Sequence, residues 1–194
     1  MFDTTQPLKT KIPIGGKMEV VSLRFPTDQE WLEYHRTRRV IDQNLGRGKS
    51  ETSVERAADA ATTLFQKISD QQIPPAAAEL VINKLARVET VSAVSEDGGY
   101  RVAVEFFGGQ QASHLLRMPS AEHLKRSDAA TRVIGDGKRA EYRIDLSAFA
   151  QMYQELVISA EGYSGPVPLF HKQTAVAGAI KAVRDEMEDD GDFF

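Results

Sequence analysis

Val102, Val104 and Phe106 alternate with Ala103, Glu105 and Phe107, a period of two that predicts a half-buried strand over YRVAVEFF. A second extended run, QQASHLLRM, follows Gly108-Gly109. Paired glycines between two such runs predict a hairpin, because glycine tolerates the positive φ of a tight turn. The same arrangement occurs near the start of the chain, where KTKIPI and KMEVVSLRF flank Gly15-Gly16. Pro13 brings no amide donor, so its strand is expected at a sheet edge. Elsewhere the apolar period lengthens to three or four. A helix is expected over 28–43, capped by Thr27 with Glu30 completing a capping box, and another over 120–132, capped by Ser120 with Glu122 in its first turn. The strongest helical spacing is Val54, Ala57, Ala58, Ala61, Leu64, Phe65 and Ile68, and Leu146, Phe149, Ala150, Tyr153, Leu156 and Val157 repeat it. Third helices carry Ala77, Leu80, Val81, Leu85 and Val88, and Val176, Ile180, Val183 and Met187. These faces nominate Trp31, Leu64, Phe65, Leu80, Phe106, Leu116, Phe149, Tyr153 and Ile180 as core.

The two series are in register. Shifted by 93 positions, residues 15–41 share eight identities with 108–134: the two glycines, Leu23, Arg24 and Pro26 with Leu116, Arg117 and Pro119, and Arg39-Val40-Ile41 with Arg132-Val133-Ile134. Leu64-Phe65-Gln66-Lys67 likewise resembles Met152-Tyr153-Gln154-Glu155. The expected fold class is α+β: a helix-rich tandem duplication in which each copy is a β-hairpin followed by about three helices. The copies would span 1–92 and 93–194, touching about a pseudo-twofold axis as a homodimer does. VETVSAVSEDGGY then reads as the short connection between them.

Composition removes several chemistries. Cysteine is absent, which excludes disulfides, thiolate metal sites and cysteine nucleophiles. The net charge of -4 argues against a dedicated nucleic-acid binder. Gly46-Arg47-Gly48-Lys49-Ser50 resembles the end of a phosphate loop, but Gln43 stands where the first glycine is required, so the segment reads as a helix end and a loop. There is no HExxH and no G-x-S-x-G. His114 and His123 straddle a strand-to-helix corner and would need a third ligand such as Glu122 to hold zinc; surface or interface histidines are the plainer reading. No catalytic residue, metal site or cofactor is expected. The opening MFDTTQPLKTKIPIGGK has no apolar h-region, and no apolar run approaches the roughly 20 residues of a membrane span. A soluble, cytoplasmic protein without a membrane partner is expected.

Charge is uneven. Residues 1–92 carry 13 Lys+Arg against 12 Asp+Glu, and residues 93–194 carry 11 against 16. Arg36, Arg38 and Arg39 form a basic run on the first helix. The closing RDEMEDDGDFF holds six acids and two phenylalanines, and its acids oppose the helix dipole, so the last helix is expected to fray from Asp185. Arg36, Arg38, Arg39, Asp189, Asp190, Phe193 and Phe194 are the candidate partner-binding residues.

Ile12–Arg39, a short hairpin leading through LRFPTDQEW into an arginine-containing helix, resembles phage and prophage tail assembly chaperones. The resemblance implies a helix-rich protein that binds other virion proteins and uses no cofactor. Together these readings favour a non-enzymatic protein-binding or assembly protein, with a homo-oligomer compatible. The alternative is an enzyme or small-ligand binder with its site in a cleft between the repeats.

Overall fold

Strands and helices follow the two hydrophobic periods, and the fold class is α+β. The computed structural model describes residues 2–38, 54–134 and 141–189. They fall into two compact units, Asp3–Arg87 and Val88–Phe194, the latter including Met1–Phe2. The expected boundary at 92/93 falls inside a strand, β4 (Glu89–Glu96), which belongs wholly to the second unit. Strand β1 is Phe2–Asp3.

In the N-terminal unit, β2 (Leu8–Ile14) and β3 (Lys17–Leu23) form an antiparallel hairpin turning at Gly15-Gly16. Ile12, Val21 and Leu23 face inward and are buried. Three helices follow: α1 (Asp28–Arg38), α2 (Val54–Ile68) and α3 (Pro75–Ala86). The expected capping box opens α1, with the Thr27 amide donating to Glu30 Oε2 at 2.8 Å and the Glu30 amide to Thr27 Oγ1 at 3.3 Å. Arg24 clamps the same carboxylate bidentately, at 2.8 and 2.6 Å. That hydrogen bond outweighs partial burial and lowers the Glu30 pKa to about 2. Trp31, Leu64, Phe65, Val81, Ile82 and Leu85 fill the core. Leu80, expected among them, is 41% exposed, because burial on α3 follows Ala77, Ala78, Val81, Ile82 and Leu85 instead.

Both edges of this hairpin are guarded. On β3 the Ser22 amide donates to Gln71 Oε1 at 2.8 Å, Gln71 Nε2 donates to the Val20 carbonyl at 3.4 Å, and Ser69 Oγ donates to the Ser22 carbonyl at 2.7 Å. A glutamine side chain thus stands in for a neighbouring strand. Ser22 points its backbone away from β2, so its partner Lys9, and by alternation Lys11 and Pro13, point theirs toward the opposite edge. Two lysines and a proline are common protection for such an edge.

The C-terminal unit is built on a four-stranded antiparallel sheet in the order β4, β5 (Gly99–Phe106), β6 (Gln110–Arg117), β9 (Val157–Glu161). Tyr100, Val102, Val104, Phe106, Ala112 and Leu116 form its buried face. The connecting segments are α4 (Ala121–Ala130), the small hairpin β7 (Thr131–Ile134) and β8 (Glu141–Ile144), α5 (Leu146–Leu156), β10 (Tyr163–Ser164) and α6 (Leu169–Asp189). At α4 the capping box uses His123 in place of a glutamate, accepting from the Ser120 amide at 3.2 Å. Helix α6 lies close on the sheet at Gly178, where a Cβ would come within 2.9 Å of Val102 Cγ1 and 3.0 Å of Thr90 Cγ2. The expected fraying from Asp185 is corrected: α6 continues to Asp189. Buried Tyr100 donates to Glu186 Oε2 at 2.5 Å, and Arg184 pairs with Asp128 at 2.5 Å, so side-chain partners offset the unfavourable dipole. No helix among the described residues is long and apolar enough to cross a membrane.

Candidate functional site

Two places in the C-terminal unit bring polar groups into unusual settings. The first is buried. His114 faces inward on β6 between Ala112 and Leu116, as the strand period dictates, and His171 lies in the first turns of α6. Tyr163 Oη sits 2.9 Å from His114 Nε2 and 2.9 Å from His171 Nδ1, while His114 Nδ1 lies 2.9 Å from Tyr153 Oη on α5. A hydroxyl carries one proton, so Tyr163 donates to one imidazole and accepts from the other, and the chain of bonds runs in a single direction. Phe106 covers it, with ring centroids 4.3 Å from His171, and Phe2 meets Phe106 edge-to-face at 4.9 Å. The Phe2 amide donates to the Gly162 carbonyl at 2.6 Å, which fixes β1 against β10.

Burial sets the charge state. It pushes the His114 pKa down to about 4. Burial, with the charge of His114 as a smaller cause, pushes His171 down to about 3. It raises both Tyr153 and Tyr163, the latter with a contribution from Tyr153. All four groups are therefore neutral near pH 7, and the chain is a polar clamp joining β6, α5, β10 and α6. The pairing of His114 with His123 is not formed. His114 turns into the core, and His123 caps α4 and reaches Glu155 at 3.2 Å, beside the Arg126–Glu155 ion pair at 2.6 Å. The reading of His114 as a surface or interface histidine is corrected: it is fully buried, as is His171. Among the described residues no group of three or more His, Asp or Glu side chains could hold a metal ion.

The second place is the outer edge of β4. Asp97-Gly98, with φ of 48° and 79°, closes the β4–β5 hairpin in a two-residue turn between Glu96 and Gly99. In such a hairpin the closing pair is hydrogen-bonded, so Val94 bonds inward to Arg101 and the backbones of Ala93 and Ser95 point outward. A bulge between Thr90 and Ser92 leaves Val91 53% exposed, and Val94 is 59% exposed on the sheet face opposite α6. Between this edge and α6 runs a groove of about 400 Å³, lined by Ala93, Ala177, Gly178, Ala182, Lys181 and Asp185 among others. A further groove of about 490 Å³, in the N-terminal unit, follows β3, but there Gln71 and Ser69 already occupy the backbone groups.

Sequence reasoning read β4 as a connection. Its signal was the pair of valines and the threonine in TVSAVS before an Asp-Gly turn. It also missed the tyrosine partners of the histidines, which are distant in sequence. Of the residues nominated for partner binding, Arg36 is exposed on α1, Arg38 ends α1 and Asp189 ends α6. Arg39, Asp190, Phe193 and Phe194, together with residues 46–50, lie outside the described residues. No protein-family model, curated protein or solved structure matches the chain.

Proposed function

We propose that this chain is a non-enzymatic protein-binding or assembly protein, of the kind that phage tail assembly chaperones represent, and that it engages its partner through the β4 edge. One observation carries the reading. β2 and β3 are guarded by Lys9, Lys11 and Pro13 and by Gln71 and Ser69, whereas β4 presents outward backbone groups at Ala93 and Ser95 beside the exposed Val91 and Val94. An exposed edge strand with outward-facing backbone groups is a template for strand addition. The partner expected from the resemblance is a virion component. Ala93→Pro tests this, because it removes only an outward-facing amide and is tolerated on an edge strand. A virion protein encoded beside the gene, co-expressed with the full chain, is expected to co-purify with it. Ala93→Pro is expected to reduce that capture at least ~10-fold, at about the loss of one or two hydrogen bonds, with an unchanged melting temperature. Undiminished capture would reject β4 as the binding edge.

We also infer that the two units are copies of one module. The support lies in matched contacts that the sequence alignment did not use. Arg24 donates to the Lys67 carbonyl at 3.0 Å, and Arg117, 93 positions on, donates to the Glu155 carbonyl at 3.4 Å. Glu33 pairs with Lys67 at 2.7 Å, and the corresponding Arg126 pairs with Glu155 at 2.6 Å, so the ion pair keeps its place with its signs exchanged. Gln71 guards β3 at Ser22 where Ser159 of β9 pairs with the corresponding Leu115 of β6.

A further inference from the structure

We propose that the β4 edge takes a second copy of this chain, in antiparallel register about a twofold axis at Val94, joining the two sheets into one. This deepens the protein-binding reading and rests on it: the edge holds one strand at a time, so the second copy and a virion component compete for the same backbone groups. Because Ala93 and Ser95 point outward and Val94 inward, a twofold at Val94 places Ala93 opposite Ser95 of the second copy, a pair that exchanges both backbone hydrogen bonds. The axis repeats that exchange on the other side. Val94 then faces its own counterpart as a close, non-hydrogen-bonded pair, and Glu96 meets Ser92 rather than another acid. The bulge at Val91 limits the new ladder to Ser92–Glu96.

The helix layer is self-complementary about the same axis. Thr90 Oγ1 donates to the Thr174 carbonyl at 3.4 Å, and Tyr100, opposite Ser95, reaches Glu186, so α6 runs alongside β4 in the same direction. The level of Val94 on α6 therefore lies between Lys181 and Asp185, both of which line the groove. A twofold there brings Lys181 of each copy to Asp185 of the other. Helices seated over β4 and β5 of adjoining sheets are two strand spacings apart, about 10 Å. That is the distance at which helices pack, and Ala177, Gly178 and Ala182 keep the facing surface low. Opposite charges, small residues and an open edge thus meet their own mates under one operation, as an isologous interface requires.

The chain contains no cysteine, so Val94→Cys introduces its only thiol. Facing residues of a non-hydrogen-bonded pair have Cα atoms about 4.5 Å apart, within disulfide range. Mild oxidation of full-length V94C is expected to give a covalent dimer. S92C, four positions from its own counterpart in this register, is expected to form no covalent dimer. Sedimentation of the unmodified chain is expected to show a dimer, with Ala93→Pro raising its Kd about 30-fold or more through loss of two symmetry-related hydrogen bonds. Lys181→Glu is expected to weaken the dimer, and Lys181→Glu combined with Asp185→Lys to restore it. A monomer at every concentration, equal cross-linking of V94C and S92C, or a dimer that Ala93→Pro leaves unchanged would overturn the proposal. If the chain is monomeric while Ala93→Pro still abolishes capture of a virion protein, the second copy is wrong and the binding edge stands. If neither dimer nor capture responds to Ala93→Pro, both fail.

Discussion

Lowering the pH to 5 is expected to destabilise the C-terminal unit by about 2 kcal/mol for each of His114 and His171. In the unfolded chain both imidazoles take up a proton near pH 6.5, whereas in the folded unit they do so only near about 4 and about 3. Between those values the unfolded state binds more protons, so stability is complete above pH 6.5 and falls as the pH drops through the window. Carboxylates act lower. Glu30 in the N-terminal unit, held at about 2 by Arg24, loses its contribution only below the ordinary carboxylate value of 4.5. Urea titrations between pH 7.5 and 5 therefore isolate the histidines. His114→Phe and His171→Phe are expected to lower stability at pH 7.5, because each leaves a tyrosine hydroxyl short of a partner, and to flatten the pH dependence. Variants as steep as the parent would show that the buried chain does not govern it.

Truncating Phe65 or Phe149 to alanine is expected to cost about 3–5 kcal/mol each. Phe65 on α2 and Phe149 on α5 are both fully buried at the centre of their apolar faces, with α3 and α6 respectively packed against the same helices. The lost transfer energy adds to the cavity left behind, since neighbours on regular helices can close the space only in part. Leu80→Ala is the matched control. Its side chain is 41% exposed, and a loss under about 1 kcal/mol is expected. Denaturant midpoints that ranked Leu80 with the phenylalanines would place the cores elsewhere.

How much of this was legible before folding depends on range. The capping pair Thr27 and Glu30, the hairpins at Gly15-Gly16 and Gly108-Gly109, and the extents of α2 and α5 follow from neighbours three or four residues apart, and these agree with the structure. Leu80 fits a helical period, yet a period alone does not say which of two adjacent stripes meets a partner. β9 pairs with β6 across more than forty residues, and β1 with β10 across most of the chain, so neither has a local signature. The clamp shares that difficulty. His114 sits on an inward strand position, which marks burial, but Tyr153 and Tyr163 become its partners only when α5 and β10 are placed. The β4 edge is illegible for a different reason: the bulge at Val91 breaks the period of two, so TVSAVS reads as readily as the connection between two repeats.

The use of Gln71 as a substitute strand has a kinetic consequence. The Val21 amide, which faces β2, is released only when the hairpin itself separates. The Ser22 amide is released when one glutamine side chain turns about its own bonds. Side-chain rotation on an exposed residue takes picoseconds to nanoseconds, far faster than strand separation. Adjacent amides of β3 thus carry separate clocks for solvent deuterium, one set by the backbone and the other by a rotamer.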